Sequence, residues 1–340
     1  LAERARPDDG RFAALADLVT ARSGPGRGRA QQPLGRPGDA ARRIGAPAVD
    51  PADLPVEELL RIGIGALAEL LLAAPAHSEP ERVRRRRLLT RSPAFVLDGA
   101  PVTTSAVRRA LGAAGHVEGG RSPRVVLLAQ PVDRGLAQVW SARVQAGAPV
   151  RWAGFVQRWA ERDVLPGGAD VPGLARLWAD RLGAERVHVV VATSEESATA
   201  RTVAEVLGVR VGPGGASPGP GPEGLSGAAV DVARRVNAVL AVRAAQERHA
   251  VLLRRLVGTL SREPSGPALT VPEAFADWAR GRGVRMGEEL SAGDYPVLGR
   301  PAALVPGGDL PSHPRRAETL EVVLAACLTQ ADLCRRSGEQ

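Results

Sequence analysis

Short apolar runs alternate with helical patterns through the middle of the chain. Three of these runs, at 94–97, 124–128 and 186–191, are too short for helices and predict buried strands. Apolar residues at spacings of three and four predict helices over 103–114, 132–145, 151–161, 171–182 and 193–207. Strands that are apolar on both faces and alternate with helices are typical of parallel sheets. We therefore expect an α/β fold, a three-layer parallel sheet flanked by helices, with a mostly helical C-terminal region.

The same pattern divides the chain into four stretches. Residues 1–48 show almost no hydrophobic period and are predicted to be a weakly ordered or incomplete N-terminal segment. Residues 49–207 form the predicted α/β core, which begins with a helix over 56–74. Residues 208–226 contain seven Gly and four Pro and predict a loop. Residues 227–340, with helices over 228–260, 272–281 and 317–335, are predicted to be a helical part of the same domain.

Composition narrows the class of protein. The 340 residues are 44% hydrophobic and 24% charged, which is typical of a globular protein, and no apolar run is long enough to predict a transmembrane helix. We expect a cytoplasmic location. The only methionine is Met286 and the sequence begins with Leu1, so we expect a fragment, a processed form or a non-AUG start. Cys327 and Cys334 lie seven residues apart, which excludes a CxxC pair and places both on one helix face.

The basic residues raise the question of nucleic-acid binding. All 45 are arginine, lysine is absent, and the net charge is +8. Arginine in place of lysine, together with abundant Ala, Gly and Pro, is typical of a GC-rich coding sequence. Aromatic residues, which stack on bases in single-strand binders, make up only 3% of the chain. We therefore do not expect nucleic acid as a partner.

Few residues offer chemistry. The five histidines are far apart in sequence, so no metal site is predicted, and a Walker-type phosphate loop is excluded because it needs a lysine. The best candidate anion site is the start of the helix after the first strand, where hydroxyls precede an arginine: Thr103, Thr104, Ser105 and Arg108. Plain helix capping is the alternative for these hydroxyls. The corresponding junction at Thr193 carries Glu195 and Glu196, which repel an anion. Asp98, just past the first strand, is a weak candidate for a general base, and loop capping is its alternative role.

The order of these pieces resembles the bacterial P-loop sulfotransferase-like proteins of the phosphoadenosine phosphosulfate-dependent type. The resemblance covers about residues 90–330. It begins with a strand and a turn (124–128 and 130–134), followed by helices with aromatic residues (Trp140, 155–159 and 174–178). A second strand (186–190) and a C-terminal pattern (234–237, Trp278 and 294–299) complete it. It implies phosphoadenosine phosphosulfate as cofactor and sulfuryl transfer to a hydroxyl or amine of a small-molecule or glycan acceptor.

Departures from that family predict that the transfer is weak or absent. The family has a Lys-Gly-Thr-Thr-like loop after its first strand, and no such segment occurs here, so we expect the chain to begin after it. Ala129 and Ala137 stand where the family has an Arg and a Ser that contact the 3′-phosphate; Arg134 lies nearby and is a weak substitute. Each missing donor of this kind costs about 3 kcal/mol of transition-state stabilisation. The alternative is a non-catalytic α/β binding or scaffold protein.

Overall fold

The computed structural model describes residues 54–74, 93–192, 195–210, 224–262, 266, 268–308 and 310–338. The predicted segment 1–48, most of the predicted loop 208–226 and Thr193 lie outside these residues. The strands are β1 (Phe95–Gly99), β2 (Arg124–Ala129), β3 (Val187–Val191) and β4 (Val297–Leu298). The helices are α1 (Val56–Ala73), α2 (Pro101–Ala113), α3 (Val132–Gln145), α4 (Trp152–Ala160), α5 (Val171–Leu182), α6 (Glu196–Leu207), α7 (Gly227–Arg243), α8 (Gln246–Leu260), α9 (Ala276–Ser291) and α10 (Arg316–Gly338).

The four described strands form one parallel sheet in the order β1-β2-β3-β4. Phe95 is in register with Arg124, and Val125 with Val187. This confirms the α/β class and the parallel sheet. Strand β4 was not predicted: it is two residues long, pairs with Val189 and Val190, and is too short to show a period of its own.

One face of the sheet is covered by α2 and α6. Phe95, Leu97, Val126 and Leu128 pack there with apolar residues of these two helices: Val107, Ala110, Leu111, Ala200, Val203, Ala204 and Leu207. Five of the six residues of β2 are buried, as expected for an inner strand of a covered sheet. Helices α2 and α6 therefore bury one face of β1, β2 and β3.

Helix α2 begins earlier than predicted. Pro101 is its first residue, a position that suits proline because its missing N–H would have no partner in the helix. Ala100 precedes it and offers no side-chain cap. The prediction that the helix starts at Thr103 was therefore wrong, and Thr103 and Thr104 lie inside its first turn, where both are buried.

The helical region predicted over 228–260 is confirmed and consists of two helices, interrupted at Ala244 and Ala245. Another helical prediction was wrong in extent. Helix α9 continues past Gly281, its predicted end, to Ser291. At Gly283 the helix lies directly against the backbone of the segment around Leu304. A Cβ added at Gly283 would lie 2.8 Å from the Leu304 carbonyl oxygen. Tertiary packing at this glycine thus outweighs its low helix propensity.

The chain divides into two compact units that interleave along the sequence. The sheet unit, His77–Gly227 and Ser265–His313, contains the sheet with α2–α6 and α9. The helical unit, Leu1–Ala76, Ala228–Pro264 and Pro314–Gln340, contains α1, α8, α10 and nearly all of α7. No described helix combines the length and the apolar character that crossing a membrane requires.

Candidate functional site

The carboxyl ends of β1, β2 and β3 lie at one edge of the sheet, and α2, α3 and α6 follow from there. The chain leaves β1 at Gly99, which has a φ of 109°. A Cβ at this position would lie 2.5 Å from the Leu128 carbonyl oxygen, so the backbones of β1 and β2 approach too closely for a side chain. The Ala100 N–H donates to the same Leu128 oxygen at 3.1 Å. This close turn sets the direction in which α2 starts.

The first N–H groups of α2, which have no partner within the helix, donate to a side chain of α3. The N–H groups of Val102 and Thr103 both donate to Gln138 Oε1, each at 3.1 Å. N–H groups in the first turn of a helix have no partner within the helix, and they are the groups that bind a phosphate or sulfate there. Gln138 therefore takes the position that an anion would need.

The Thr103 hydroxyl belongs to the same cluster. It accepts from Gln138 Nε2 and from Gln130 Nε2, each at 2.9 Å. Thr103 is 6% exposed, so the cluster is closed to solvent at this point. Thr104 is also buried, and its hydroxyl finds no hydrogen-bond partner among the described residues. Ser105 is half-buried. The structure thus brings Thr103 together with two glutamines rather than with a cation.

Arg108, the arginine predicted for the anion site, pairs with Glu118. Its Nε and Nη2 donate to the carboxylate of Glu118, with Nη2 at 3.3 Å from Oε1. The same Oε1 accepts the Leu97 N–H at 2.6 Å. The Arg108 guanidinium is therefore held beside β1 by a carboxylate that also binds that strand.

Both carboxylate oxygens of Asp98 accept hydrogen bonds. Oδ1 accepts the N–H of Gly99 at 2.8 Å, and Oδ2 accepts Trp178 Nε1 at 2.9 Å. Trp178 lies on α5, so the contact fastens that helix to the end of β1. A carboxylate held in this way is suited to positioning the tryptophan.

The loop before α5 packs onto the turn between β1 and α2. A Cβ added at Gly168 would lie 3.5 Å from the Gly99 carbonyl oxygen and 3.5 Å from Cδ of Pro101. Asp170 ends this loop and caps α5, since its Oδ1 accepts the Gly173 N–H at 3.2 Å. The turn is thereby covered by chain of its own unit.

The start of α3 contains a buried carboxyl group. Asp133 is 1% exposed, and burial raises its pKa above the ordinary value of 3.8. The Arg134 N–H, the Thr270 hydroxyl and the Arg134 charge act in the opposite direction without cancelling the effect of burial. Arg134 itself is half-buried in the first turn of α3. Its positive charge is thus directed partly to a carboxyl group of its own helix.

The two alanines at the predicted 3′-phosphate positions supply no side-chain donor. Ala129 is fully buried at the end of β2, and its carbonyl oxygen accepts the Ala192 N–H at 2.8 Å. Ala137 is half-buried on α3. Gln130, which follows β2 directly, could have been found by the rule that pointed to Asp98. Gln138 and Glu118 could not, because they meet their partners 35 and 21 residues away.

Compared with protein-family models, with curated proteins and with solved structures, the chain matches none. Within the described ranges, no three His, Cys, Asp or Glu side chains come together in a way that could hold a metal ion.

Proposed function

We propose that this chain is a sulfotransferase-like protein in which sulfuryl transfer from phosphoadenosine phosphosulfate is weak or absent. The observation that carries the proposal is the position of Gln138. Its Oε1 accepts the two N–H groups that would bind a phosphate or sulfate oxygen at the start of α2. An incoming anion would have to displace this side chain and break its bonds.

The turn between β1 and α2 is the place where an anion would bind in this chain, and the family's phosphosulfate loop itself is missing. In the family, that loop follows the first strand and is Lys-Gly-Thr-Thr-like. The first described strand here is β1, and Val102, Thr103 and Thr104 follow its turn. This turn thus offers two hydroxyls, but an apolar residue precedes them and lysine is absent from the chain. Without a lysine, and with its N–H groups donating to Gln138, the turn has few groups left to stabilise charge on a transferring group.

The proposal includes the three-layer arrangement expected from the sequence. Leu97 packs with α2 and α6 on one face of the sheet. Asp98, the next residue of the strand, points to the opposite face and bonds to Trp178 of α5. These two contacts support helices on both faces.

The second candidate is a non-catalytic α/β binding or scaffold protein, and Asp98 favours it. A general base must be oriented toward the proton that it takes from the acceptor. The Asp98 carboxylate is instead oriented by contacts within its own fold, with the Gly99 N–H and with Trp178. In this function the polar side chains of the carboxyl edge stabilise the fold and no group is transferred.

Calorimetry with adenosine 3′,5′-bisphosphate tests the proposal. We expect no binding by the wild type in the micromolar range. Gln138→Ala should bind at least about tenfold more tightly than the wild type, because about 1.4 kcal/mol of competing hydrogen bonding is removed. Gln145→Ala is the matched control, because Gln145 lies on the same helix and bonds to Ser141 at 3.1 Å. The control should bind like the wild type.

Three results separate the two candidate functions. Micromolar binding by the wild type, or turnover of the sulfate donor, would contradict the closed site. Binding by Gln138→Ala but not by the wild type supports a sulfotransferase-like site that is blocked by its own side chain. Absence of binding in both the wild type and Gln138→Ala supports the scaffold function. If Gln138→Ala binds sulfate, we expect Arg108→Ala in that background to weaken the binding, as the sequence predicts for this arginine.

A further inference from the structure

Strand β1 is the outermost described strand on its side of the sheet. The Ala94 carbonyl oxygen accepts the Arg124 N–H at 2.9 Å, and the Ala100 N–H donates to Leu128, so these alternate residues face β2. The backbone groups of Phe95, Leu97 and Gly99 consequently point away from the sheet. N–H and C=O groups in such a row form a template on which another strand can pair.

This edge has backbone pairing at one residue only, within the described part of the chain. The Phe95 N–H donates to the Gly119 oxygen at 3.2 Å, and the Gly119 N–H donates back to Phe95 at 2.9 Å. The next outward N–H, that of Leu97, donates to the Glu118 carboxylate at 2.6 Å, and the Gly99 N–H donates to Asp98 at 2.8 Å. Side-chain carboxylates thus take the places that a neighbouring strand would fill.

The local backbone and Arg108 keep the Glu118 carboxylate in position. Gly119 and Gly120 both have positive φ values, 131° and 105°, which turn the chain away from β1 after a single pair. Arg108 binds the carboxylate from α2. Val117, the residue before Glu118, is 66% exposed. The segment therefore covers the edge without extending it.

We propose that Glu118 keeps the β1 edge closed to a second copy of this chain. The Glu118 side-chain oxygen satisfies the Leu97 N–H and, unlike a strand, brings no further backbone edge with it. If it is removed, Leu97 exposes an N–H and a C=O. An identical strand in antiparallel orientation offers the complementary pair, so the contact would be two-fold symmetric. This inference is independent of the proposed function.

Sedimentation of the purified full chain over a range of concentrations tests the proposal. We expect Glu118→Ala to associate as its concentration rises, with a mass that increases at least to that of a dimer. Glu118→Gln is the matched control, since its amide oxygen can still accept the Leu97 N–H, and it should keep the mass of the wild type at every concentration. Hydrogen exchange should show that the Leu97 amide loses protection in dilute Glu118→Ala and regains it on association.

Glu118→Asp gives a second test in case the alanine variant does not fold. Its side chain is one methylene shorter and keeps the charge, so it withdraws the carboxylate from Leu97 with less disturbance. Association of the folded Glu118→Asp variant, with the glutamine control unchanged, supports the proposal. If the folded variants all keep the wild-type mass, or if Glu118→Gln associates as strongly as Glu118→Ala, the proposal is overturned.

Discussion

Polar side chains at the carboxyl edge of the sheet bind one another. Thr103 accepts from two glutamines, and Asp98 accepts from Trp178 and from a backbone N–H. A buried polar group without a partner costs about 1–3 kcal/mol, so these contacts are required for stability whatever else the edge does. Thr103 and Asp98, two of the residues that looked available for chemistry in the sequence, are therefore engaged in holding the structure together.

Asp133 gives a pH-dependent prediction. Because burial raises its pKa in the folded state, the folded chain binds this proton more tightly than the unfolded chain. Its contribution to the free energy of unfolding is largest below the ordinary pKa of 3.8 and is lost as pH rises through the raised folded-state pKa. We expect Asp133→Asn to remove this dependence, so that the variant gains stability relative to the wild type as pH rises. Urea unfolding across pH measures the difference, with exposed Asp180→Asn as control; a difference that does not vary with pH would contradict the assignment.

Gly99 is the residue at which the backbone turn requires glycine. We expect Gly99→Ala to lower the free energy of unfolding by about 2 kcal/mol or more, because the new Cβ would meet the Leu128 carbonyl oxygen and the φ is positive. Gly112→Ala is the control: it lies within α2, and its Cβ would meet nothing within 4 Å. The control should raise stability by about 0.5–1 kcal/mol. Equal effects in denaturant unfolding would show that crowding at Gly99 is not the cause.

Helix contacts in the helical unit depend on small residues and on backbone carbonyls. On α10, Sγ of Cys327 lies 3.7 Å from the Gly63 oxygen, and Sγ of Cys334 lies 4.0 Å from the Leu70 oxygen. Both thiols are seven residues apart and so are their partners on α1, which means that the two helices run parallel in register. The sequence correctly placed the cysteines on one helix face, and the contact explains why small side chains stand there.

Gly63 tests this helix pair. A Cβ at Gly63 would lie 2.6 Å from Cγ1 of Val323 on α10, so we expect Gly63→Ala to destabilise the chain by about 1–3 kcal/mol. Gly65→Ala, whose Cβ would meet nothing within 4 Å, should instead stabilise α1 by about 0.5–1 kcal/mol. Combining Gly63→Ala with Val323→Ala should recover part of the loss in chemical denaturation. Strict additivity of the two substitutions would argue against direct contact.

Element prediction succeeded where the local pattern was strong. The bounds of α3 and α5 match their predicted ranges, because apolar spacing and flanking breakers are both clear there. The start of α2 was misplaced because hydroxyl residues suggested a cap, whereas Pro101 already fits the first helical position. Strand β4 forms because it pairs with β3, and its two residues are too few to show a pattern that predicts a strand.

At the scale of the whole molecule, the chain builds two compact units from interleaved segments. Each unit has its own buried residues: Val126 and Leu128 in the sheet unit, Leu67 and Leu256 in the helical unit. Local unfolding commonly follows such units. The units therefore suggest that a substitution in one core weakens that unit more than the other.

Hydrogen exchange of two variants tests this independence. We expect Gly63→Ala to raise exchange rates chiefly in α1, α8 and α10, and Gly99→Ala to raise them chiefly in β1, β2 and α2, because each substitution disturbs the core of one unit. The wild type provides the reference. Uniform acceleration over both units by either variant would show that the chain opens as a single cooperative body.

The sequence by itself determined the α/β class, the three buried strands and most of the helices. It also determined that no phosphate site in this chain can contain a lysine, because the chain has none. These follow from local periodicity and residue chemistry, which act within a few residues. Only the tertiary structure decided that Gln138 occupies the start of α2, that Arg108 pairs with Glu118, and that Asp98 is held by Trp178. Those contacts join residues 10 to 80 positions apart, and hydrogen-bonding partners at such separations depend on how the helices pack against the sheet.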